Sequence, residues 1–367
     1  MNYTTHLLFI LISITSLLRS TAAEPLSTTA VYAFGDAIFD TGNNNGLRTI
    51  CRADHPPYAA ELHDTISFGR FSNGMLPADI LVHDLGLKPL MQPYLNMQTA
   101  PRDTLRTGVS FASTCSGLDD LTADEYDKNI HFRLDFSLNH QSYDLHYNNR
   151  NFEAARETMR LDIGDGPTDD VLKNAVYLIS GGTNDMLVNY YAIPIRRLTY
   201  SVSAYHEFLL GNLKDFVKKL YKRGARRVGV LGMPPVGCLP LDISTKFGFK
   251  RECVSQHNAD ATQFNERLQQ YINQFVTEMP QLKIAYIDIY NPMMDMINNP
   301  SRYGLEHTLE GCCGSGSWEL GPFCSKYARV CTNSSQYLFW DSIHPTQAAY
   351  EVLTKIFKET SLSSLLA

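Results

Sequence analysis

Short apolar runs alternate along the chain with longer stretches in which apolar and polar residues recur at helical spacing. The apolar runs are continuous rather than alternating, which is typical of parallel strands that are covered on both faces. Strands are therefore predicted over residues 31–35, 107–112, 174–182, 227–232 and 283–290.

The stretches between these runs have the period of amphipathic helices. Over residues 203–223 a stripe of leucines with Phe216 and Val217 repeats every three or four positions, and Gly224 predicts the helix end. Residues 260–279 carry a similar stripe, and residues 348–357 predict a final helix. Strands separated by helices indicate a three-layer α/β/α sandwich with a parallel central sheet, similar to the flavodoxin fold. Functional sites in such sheets form at the carboxyl ends of strands.

The first residues resemble an export signal. An apolar run over residues 7–18 is too short to span a bilayer, and Thr21-Ala22-Ala23 offers a small-residue cleavage site. Residues 1–23 are therefore predicted to be a signal peptide, followed by a single domain over residues 24–367. The residues that precede the apolar run carry no Lys or Arg, and a signal anchor is the alternative, although polar Ser and Thr residues interrupt the run.

The charge and the apolar segments of the chain limit the kinds of partner and the compartment to be expected. A net charge of −6 and the absence of a basic run argue against nucleic acid or anionic lipid as the main partner. No segment after the leader is long and apolar enough to predict a transmembrane helix. The expected compartment is extracellular.

Eight cysteines are an even number, which favours disulfides after export. Cys238 and Cys253 flank a loop that a disulfide could close, and the other pairings stay open. Zinc is the alternative for the cluster near the C-terminus, but its adjacent cysteines lack the usual C-x-x-C spacing. Asn333-Ser334-Ser335 is a glycosylation sequon.

The sequence AFGDAIFDTGNNN at 33–45 runs from a strand end into a Gly-Asp turn. Such a turn is suited to holding a nucleophile, but the residue presented there is Ala37. A methyl group cannot attack a carbonyl or exchange a proton. An ordinary strand-to-loop turn is the alternative interpretation.

Two further segments contain groups suited to stabilising an oxyanion. Small residues over 108–117, GVSFASTCSG, let backbone amides approach a ligand, and Ser180-Gly181-Gly182-Thr183-Asn184-Asp185 presents an Asn carboxamide. Each segment by itself is also compatible with a plain turn.

The segment Trp340-Asp341-Ser342-Ile343-His344-Pro345 places a carboxylate three residues before an imidazole. On a turn these side chains can meet, so that Asp341 fixes the tautomer of His344. A structural or exposed histidine is the alternative.

The order of these four segments resembles the GDSL esterase/lipase family, or SGNH hydrolases, in its secreted plant form. The resemblance covers residues 31–357 and includes four further segments, PPY at 56–58, GRFSNG at 69–74, MPPVGCLP at 233–240 and GCCG at 311–314. It implies an SGNH-hydrolase-like fold and activity on carboxylic esters or lipids. Nothing in the sequence suggests a metal or organic cofactor.

The resemblance also implies a role for individual residues. The position of the nucleophilic Ser is occupied by Ala37, and Asn184 is the oxyanion donor. His344 is the general base, oriented by Asp341. The family's oxyanion glycine pair is replaced by Thr114-Cys115, so the backbone N–H of Cys115 is the second expected donor.

Three hypotheses follow. The leading one is a protein that binds an acyl ester, lipid or acylated glycan, or acts through partners, with hydrolysis absent or severely impaired. Loss of the attacking Ser costs about 10⁶-fold in turnover in serine hydrolases. The alternative is a working hydrolase that uses a His344-activated water or a displaced nucleophile, for which the candidates are Ser110, Ser113, Ser116, Ser342 and the Cys115 thiol. The third is a purely structural coat or wall protein.

Overall fold

The computed structural model describes residues 28–62, 68–95, 102–123, 145–193, 195–248 and 250–367. The predicted signal peptide over residues 1–23 lies outside the described residues.

The central sheet contains four parallel strands whose spatial order follows the chain. They are β1 (Val31–Phe34), β2 (Val176–Ile179), β3 (Arg227–Leu231) and β4 (Lys283–Ile287). Four of the five predicted strands are thus confirmed. The predicted span 283–290 is too long, because a helix begins at Tyr290.

The predicted strand over residues 107–112 is wrong. This segment pairs with Ala33 of β1 through a single bridge at Ser110, on the side of β1 opposite to β2. Gly108, at a φ of +94°, ends a 3₁₀-helix just before the bridge, and the amide of Thr114 just after it bonds Asp40 rather than the sheet. The order of neighbours therefore reverses at β1, and a crevice forms beyond the carboxyl end of a strand at such a point.

Helices cover both faces of the sheet. The ring of Tyr177 on β2 contacts Phe152, at 5.9 Å between centroids, and Phe34 on β1 contacts Phe216 at 5.4 Å. Leu178, the next residue on β2, faces the opposite side and lines a cavity with Leu353. The α-helices are α1 (Pro77–Asp84), α2 (Leu145–Ile163), α3 (Asp165–Asn174), α4 (Val202–Lys222), α5 (Pro240–Phe247), α6 (Ser255–Glu278), α7 (Tyr290–Asn298), α8 (Gln347–Phe357) and α9 (Ser363–Leu366).

The three-layer α/β/α prediction is confirmed, as are the helices α4, α6 and α8 to within a few residues. The prediction that residues 348–357 form the last helix is wrong, because a π-helix, Lys358–Leu362, and α9 follow. Another π-helix spans Asp185–Ala192, directly after Asn184. Among the helices in the described ranges, none has the length and apolar character needed to cross a membrane.

A second, two-stranded parallel sheet lies near the C-terminus, formed by β5 (His307–Gly311) and β6 (Tyr337–Phe339). All eight cysteines form disulfides, which confirms the disulfide prediction. No cysteine remains free for the zinc site that was the alternative. Cys238 pairs with Cys253 as the flanked loop suggested. The remaining pairs are Cys51–Cys115, Cys312–Cys331 and Cys313–Cys324.

Candidate active site

The turn after β1 is joined to the turn after β2 at close range. Gly35 adopts a φ of +109°, and a Cβ there would lie 2.0 Å from the carbonyl oxygen of Ser180. The Ser180 hydroxyl donates to Asp36 Oδ1 at 2.7 Å and accepts from the Asp36 amide at 3.1 Å. Only glycine permits this approach, and the turn holds Ala37 beyond the sheet with 5% of its surface exposed.

The side chains of Asp341 and His344 meet in the turn after β6. His344 Nδ1 lies 2.9 Å from Asp341 Oδ2, and the other carboxylate oxygen accepts from the backbone amides of Ile343 and His344 at 2.8 and 2.7 Å. Asp341 is fully buried. A carboxylate in this position holds the proton on Nδ1, which leaves Nε2 as the basic nitrogen.

Tyr58 completes the environment of Asp341. Its hydroxyl donates to Asp341 Oδ2 at 2.8 Å and accepts from the backbone amide of Gly321 at 2.8 Å. Burial, with Asp341 adding to it, raises the pKa of Tyr58 well above its usual range. No local pattern assigns a role to PPY at 56–58, because Tyr58 and Asp341 are separated by 283 positions along the chain.

A second segment without an assigned role, GRFSNG at 69–74, supports the turn that carries His344. The rings of Phe71 and His344 lie 4.9 Å apart between centroids. Ser72 donates to the carbonyl of Pro345 at 3.0 Å, and Asn73 Oδ1 accepts from the amide of Gln347 at 2.8 Å. These contacts place the Phe71 ring against the imidazole and tie the turn that follows His344 to the loop.

Asn184 lies at the start of the π-helix, and 8% of its surface is exposed. Its Nδ2 donates to the carbonyl of Ser116 at 2.9 Å. A carboxamide nitrogen carries two hydrogens, so one hydrogen remains for a ligand.

The buried carboxylate of Asp185 anchors the loop that faces Asn184. It accepts hydrogen bonds from the amides of Gly182, Leu118 and Asp119 at 2.9–3.0 Å, and from the hydroxyl of Thr122. Burial raises the pKa of Asp185 to about 6 despite these donors. The carboxamide of Asn184 is therefore held between two turns that share one buried anchor.

Cys115 occupies a conformation that favours glycine, with a φ of +67°. The amide of the preceding Thr114 donates to Asp40 Oδ2 at 2.8 Å. Within the part of the chain that the structure describes, the Cys115 amide has no protein acceptor. The Cys115 thiol, one candidate for a displaced nucleophile, is ruled out because its sulfur is bonded to Cys51.

Of the four serine hydroxyls that are candidates for a displaced nucleophile, three donate hydrogen bonds to other groups and one has no partner among the described residues. Ser110 donates to the carbonyl of Phe39, Ser113 to Asn44 Oδ1 and Ser116 to the carbonyl of Gly35, at 2.6–2.7 Å. The buried hydroxyl of Ser342 has no partner among the described residues. None of these four hydroxyls is hydrogen-bonded to His344 within the described ranges.

Two cavities meet at Ala37, Asn184, Ile343 and His344. The first, called the inner cavity, has about 620 Å³ of free space, part of it open, and its apolar wall includes Leu231, Leu239, Ile289, Met293 and Leu353. The second, called the outer cavity, has about 650 Å³, part of it open, and is lined by Ile50, Phe71, Cys115, Trp318, Leu320 and Phe323. The candidate residues from four distant segments thus surround one point.

A parallel α/β/α sandwich whose first strand ends beside an Asp–His pair and two N–H donors is the framework of an acyl hydrolase that uses nucleophilic attack. The family model for GDSL-like lipases and acylhydrolases matches residues 31–357. The chain belongs to this family.

Relatives in Arabidopsis thaliana agree with this assignment. The GDSL esterase/lipase At2g40250 is 42% identical over 351 residues, covering 94% of this chain and 92% of its own. The GDSL esterase/lipase At2g31550 is 41% identical over 347 residues, covering 92% of each chain. A catalytic mutant of Axe2, an acetylxylan esterase from Geobacillus stearothermophilus, has a TM-score of 0.39 and 14% identity, covering 92% of this chain and 94% of its own. That last likeness is too distant to support an argument.

Proposed function

We propose that this GDSL-family protein binds acyl esters or lipids, outside the cell, and hydrolyses them poorly or not at all. The observation that carries the proposal is Ala37, which lines both cavities together with Asn184 and His344. A methyl group stands where the family's mechanism needs an attacking oxygen. Action through a protein partner is compatible with the same pocket.

The remaining groups are suited to binding an ester carbonyl. The free hydrogen of Asn184 Nδ2 and the unpaired amide of Cys115 are two donors for its oxygen. In this arrangement His344 Nε2 faces the carbonyl without a hydroxyl proton to remove. The ester is polarised, but no covalent acyl-enzyme forms.

The apolar wall of the inner cavity favours an acyl chain as the buried part of the ligand. Leu231, Leu239 and Met293 lie deep in this wall and are buried. Burying a methylene group in such surroundings stabilises binding by about 0.8 kcal/mol. Affinity is therefore expected to rise with acyl chain length until the cavity is filled.

A second candidate function is slow hydrolysis by a water that His344 activates. The hydrogen bond of 2.9 Å between Asp341 and His344 supports it, because it leaves Nε2 basic toward the space beside Ala37. Donors and binding alone retain about 10³–10⁴ of rate over water in serine hydrolases that lack a member of the triad. Such a rate would be small but dependent on His344.

One experiment separates the two candidates. Wild-type protein and a His344→Ala variant are mixed with p-nitrophenyl butyrate, and both the bound ester and the released p-nitrophenol are measured. The proposal expects saturable binding, with release by wild type no more than slightly above that of the variant. Release by wild type well above that of the variant would support the activated water, and absence of saturable binding would contradict the proposal.

An extracellular location is part of the proposal. It is supported by the leader over residues 1–23 and by the four disulfides. Asn333 is exposed just before the 3₁₀-helix Ser334–Gln336, as a glycosylation site requires. We expect the secreted protein to lose an N-glycan, seen as faster electrophoretic migration, in an Asn333→Gln variant, and unchanged migration would contradict this.

A further inference from the structure

The loop between β5 and β6 is cross-linked by two disulfides and exposes large aromatic side chains. Residues 312–331, called here the docking loop, are cross-linked by Cys312–Cys331 and Cys313–Cys324. Trp318, Phe323 and Tyr327 are 47%, 74% and 86% exposed. A cluster of exposed aromatic residues on a folded protein commonly marks an interaction site.

The docking loop also forms the entrance to the candidate active site. Trp318 and Phe323 line the outer cavity, which reaches Ala37 and His344. The backbone amide of Gly321, between them in sequence, donates to the Tyr58 hydroxyl that holds Asp341. A surface bound by these aromatic residues would therefore lie directly at the mouth of the cavity.

The charges on the docking loop differ from those of the whole chain. Lys326 and Arg329 are exposed, whereas the single carboxylate of the loop, Glu319, is partly buried and accepts from the hydroxyl of Ser315. The chain as a whole carries a net charge of −6, which opposes binding to a strongly anionic surface. Exposed aromatics beside two cations match a zwitterionic surface, where phosphate groups lie next to acyl chains.

We propose that the docking loop binds a zwitterionic lipid–water interface, with Trp318, Phe323 and Tyr327 entering the boundary between headgroups and acyl chains. An acyl chain then passes from the interface into the outer cavity without crossing water. The apolar lining of both cavities favours lipid over a polysaccharide, which would need polar partners for its hydroxyls. The inference rests on the proposed function, because it names the form in which the ester is presented.

Vesicle flotation tests the proposal. Mature protein is mixed with phosphatidylcholine vesicles, and the bound fraction is compared for wild type, a Phe323→Ala/Tyr327→Ala variant and a control. The control is Leu161→Ala/Leu198→Ala, which removes two residues that are also highly exposed, at 82% and 86%, but lie outside the docking loop. We expect the docking-loop variant to bind about tenfold more weakly or worse, since burying one large apolar side chain is worth at least that factor.

Fluorescence gives a second readout on the unmodified protein. The chain has two tryptophans, Trp318 and Trp340, and Trp340 is buried. A blue shift on adding vesicles therefore reports Trp318, and it should disappear in a Trp318→Phe variant. No shift and no flotation of wild type, or equal flotation of the docking-loop variant and the control, would overturn the proposal.

The same proteins are assayed for binding of monomeric p-nitrophenyl butyrate and for retention on insoluble xylan. Ester binding without vesicle binding would overturn the docking proposal and leave the proposed function intact. Failure of the wild-type protein to bind the ester would contradict the proposed function itself. Retention on xylan that depends on Phe323 and Tyr327, without vesicle binding, would overturn the lipid interface in favour of a polysaccharide.

Discussion

Restoring a hydroxyl at position 37 tests whether the rest of the candidate site is still arranged for hydrolysis. The substitution Ala37→Ser adds one oxygen to a side chain that already lines both cavities, so there is space for it. Asp341 holds His344 Nδ1 at 2.9 Å, which directs Nε2 to receive the serine proton. Asn184 and the Cys115 amide remain to bind the oxyanion.

The size of the expected gain follows from these groups. A complete nucleophile and base are worth about 10⁶-fold in turnover. The amide of Cys115 sits in a strained left-handed conformation, and loss of one oxyanion donor costs about 10²–10³-fold. We therefore expect kcat to rise by about 10³-fold at least and by about 10⁶-fold at most, which corresponds to roughly 4–8 kcal/mol of transition-state stabilisation.

The assay follows release of p-nitrophenol from butyrate and longer acyl esters, together with labelling by a fluorophosphonate probe. Wild type and Ala37→Ser/His344→Ala are the controls, and thermal unfolding checks that each variant is folded. We expect labelling at position 37 in the single variant alone. A folded Ala37→Ser protein with no gain over wild type would refute the reasoning that Asn184, Asp341 and His344 are positioned for catalysis.

Three further predictions concern the surroundings of the site. In the Ala37→Ser background, Tyr58→Phe removes a donor from Asp341, so kcat should fall by up to about tenfold, and an unchanged kcat would contradict a positioning role for Tyr58. Burial raises the pKa of Asp185 to about 6 from 3.8, so the folded state binds this proton more tightly than the unfolded state. In urea unfolding, the stability of wild type relative to Asp185→Asn should therefore fall as pH rises from about 4 to 6. A stability difference between the two proteins that stays constant across this range would contradict the prediction. A Cys51→Ser/Cys115→Ser variant lacks the disulfide between two positions that are 64 residues apart. Its free energy of unfolding should be about 4 kcal/mol lower than that of wild type. Equal urea midpoints of the two proteins would count against this value.

The layered fold and the positions of its strands were predictable from local patterns. Continuous apolar runs and apolar stripes at helical spacing can both be recognised within a short stretch of sequence. A parallel sheet that is covered by helices on both faces requires both patterns. The pattern failed at residues 107–112, where residues 108–112 are buried but the segment bridges to β1 at Ser110 alone, between Gly108 with its positive φ and Thr114, whose amide donates to Asp40. An apolar run indicates burial, and pairing depends on the chain at both of its ends.

The sequence was sufficient to name the main residues of the candidate site, but not the contacts that support them. The methyl of Ala37 and the spacing of Asp341 and His344 are properties of the sequence itself, because three residues on a turn suffice for the carboxylate to meet the imidazole. The contact of Tyr58 with Asp341, the hydrogen bonds that occupy Ser110 and Ser113, and the pairing of Cys51 with Cys115 all depend on contacts between distant segments. Such contacts leave no local period, since they form only when the packed layers bring the segments together.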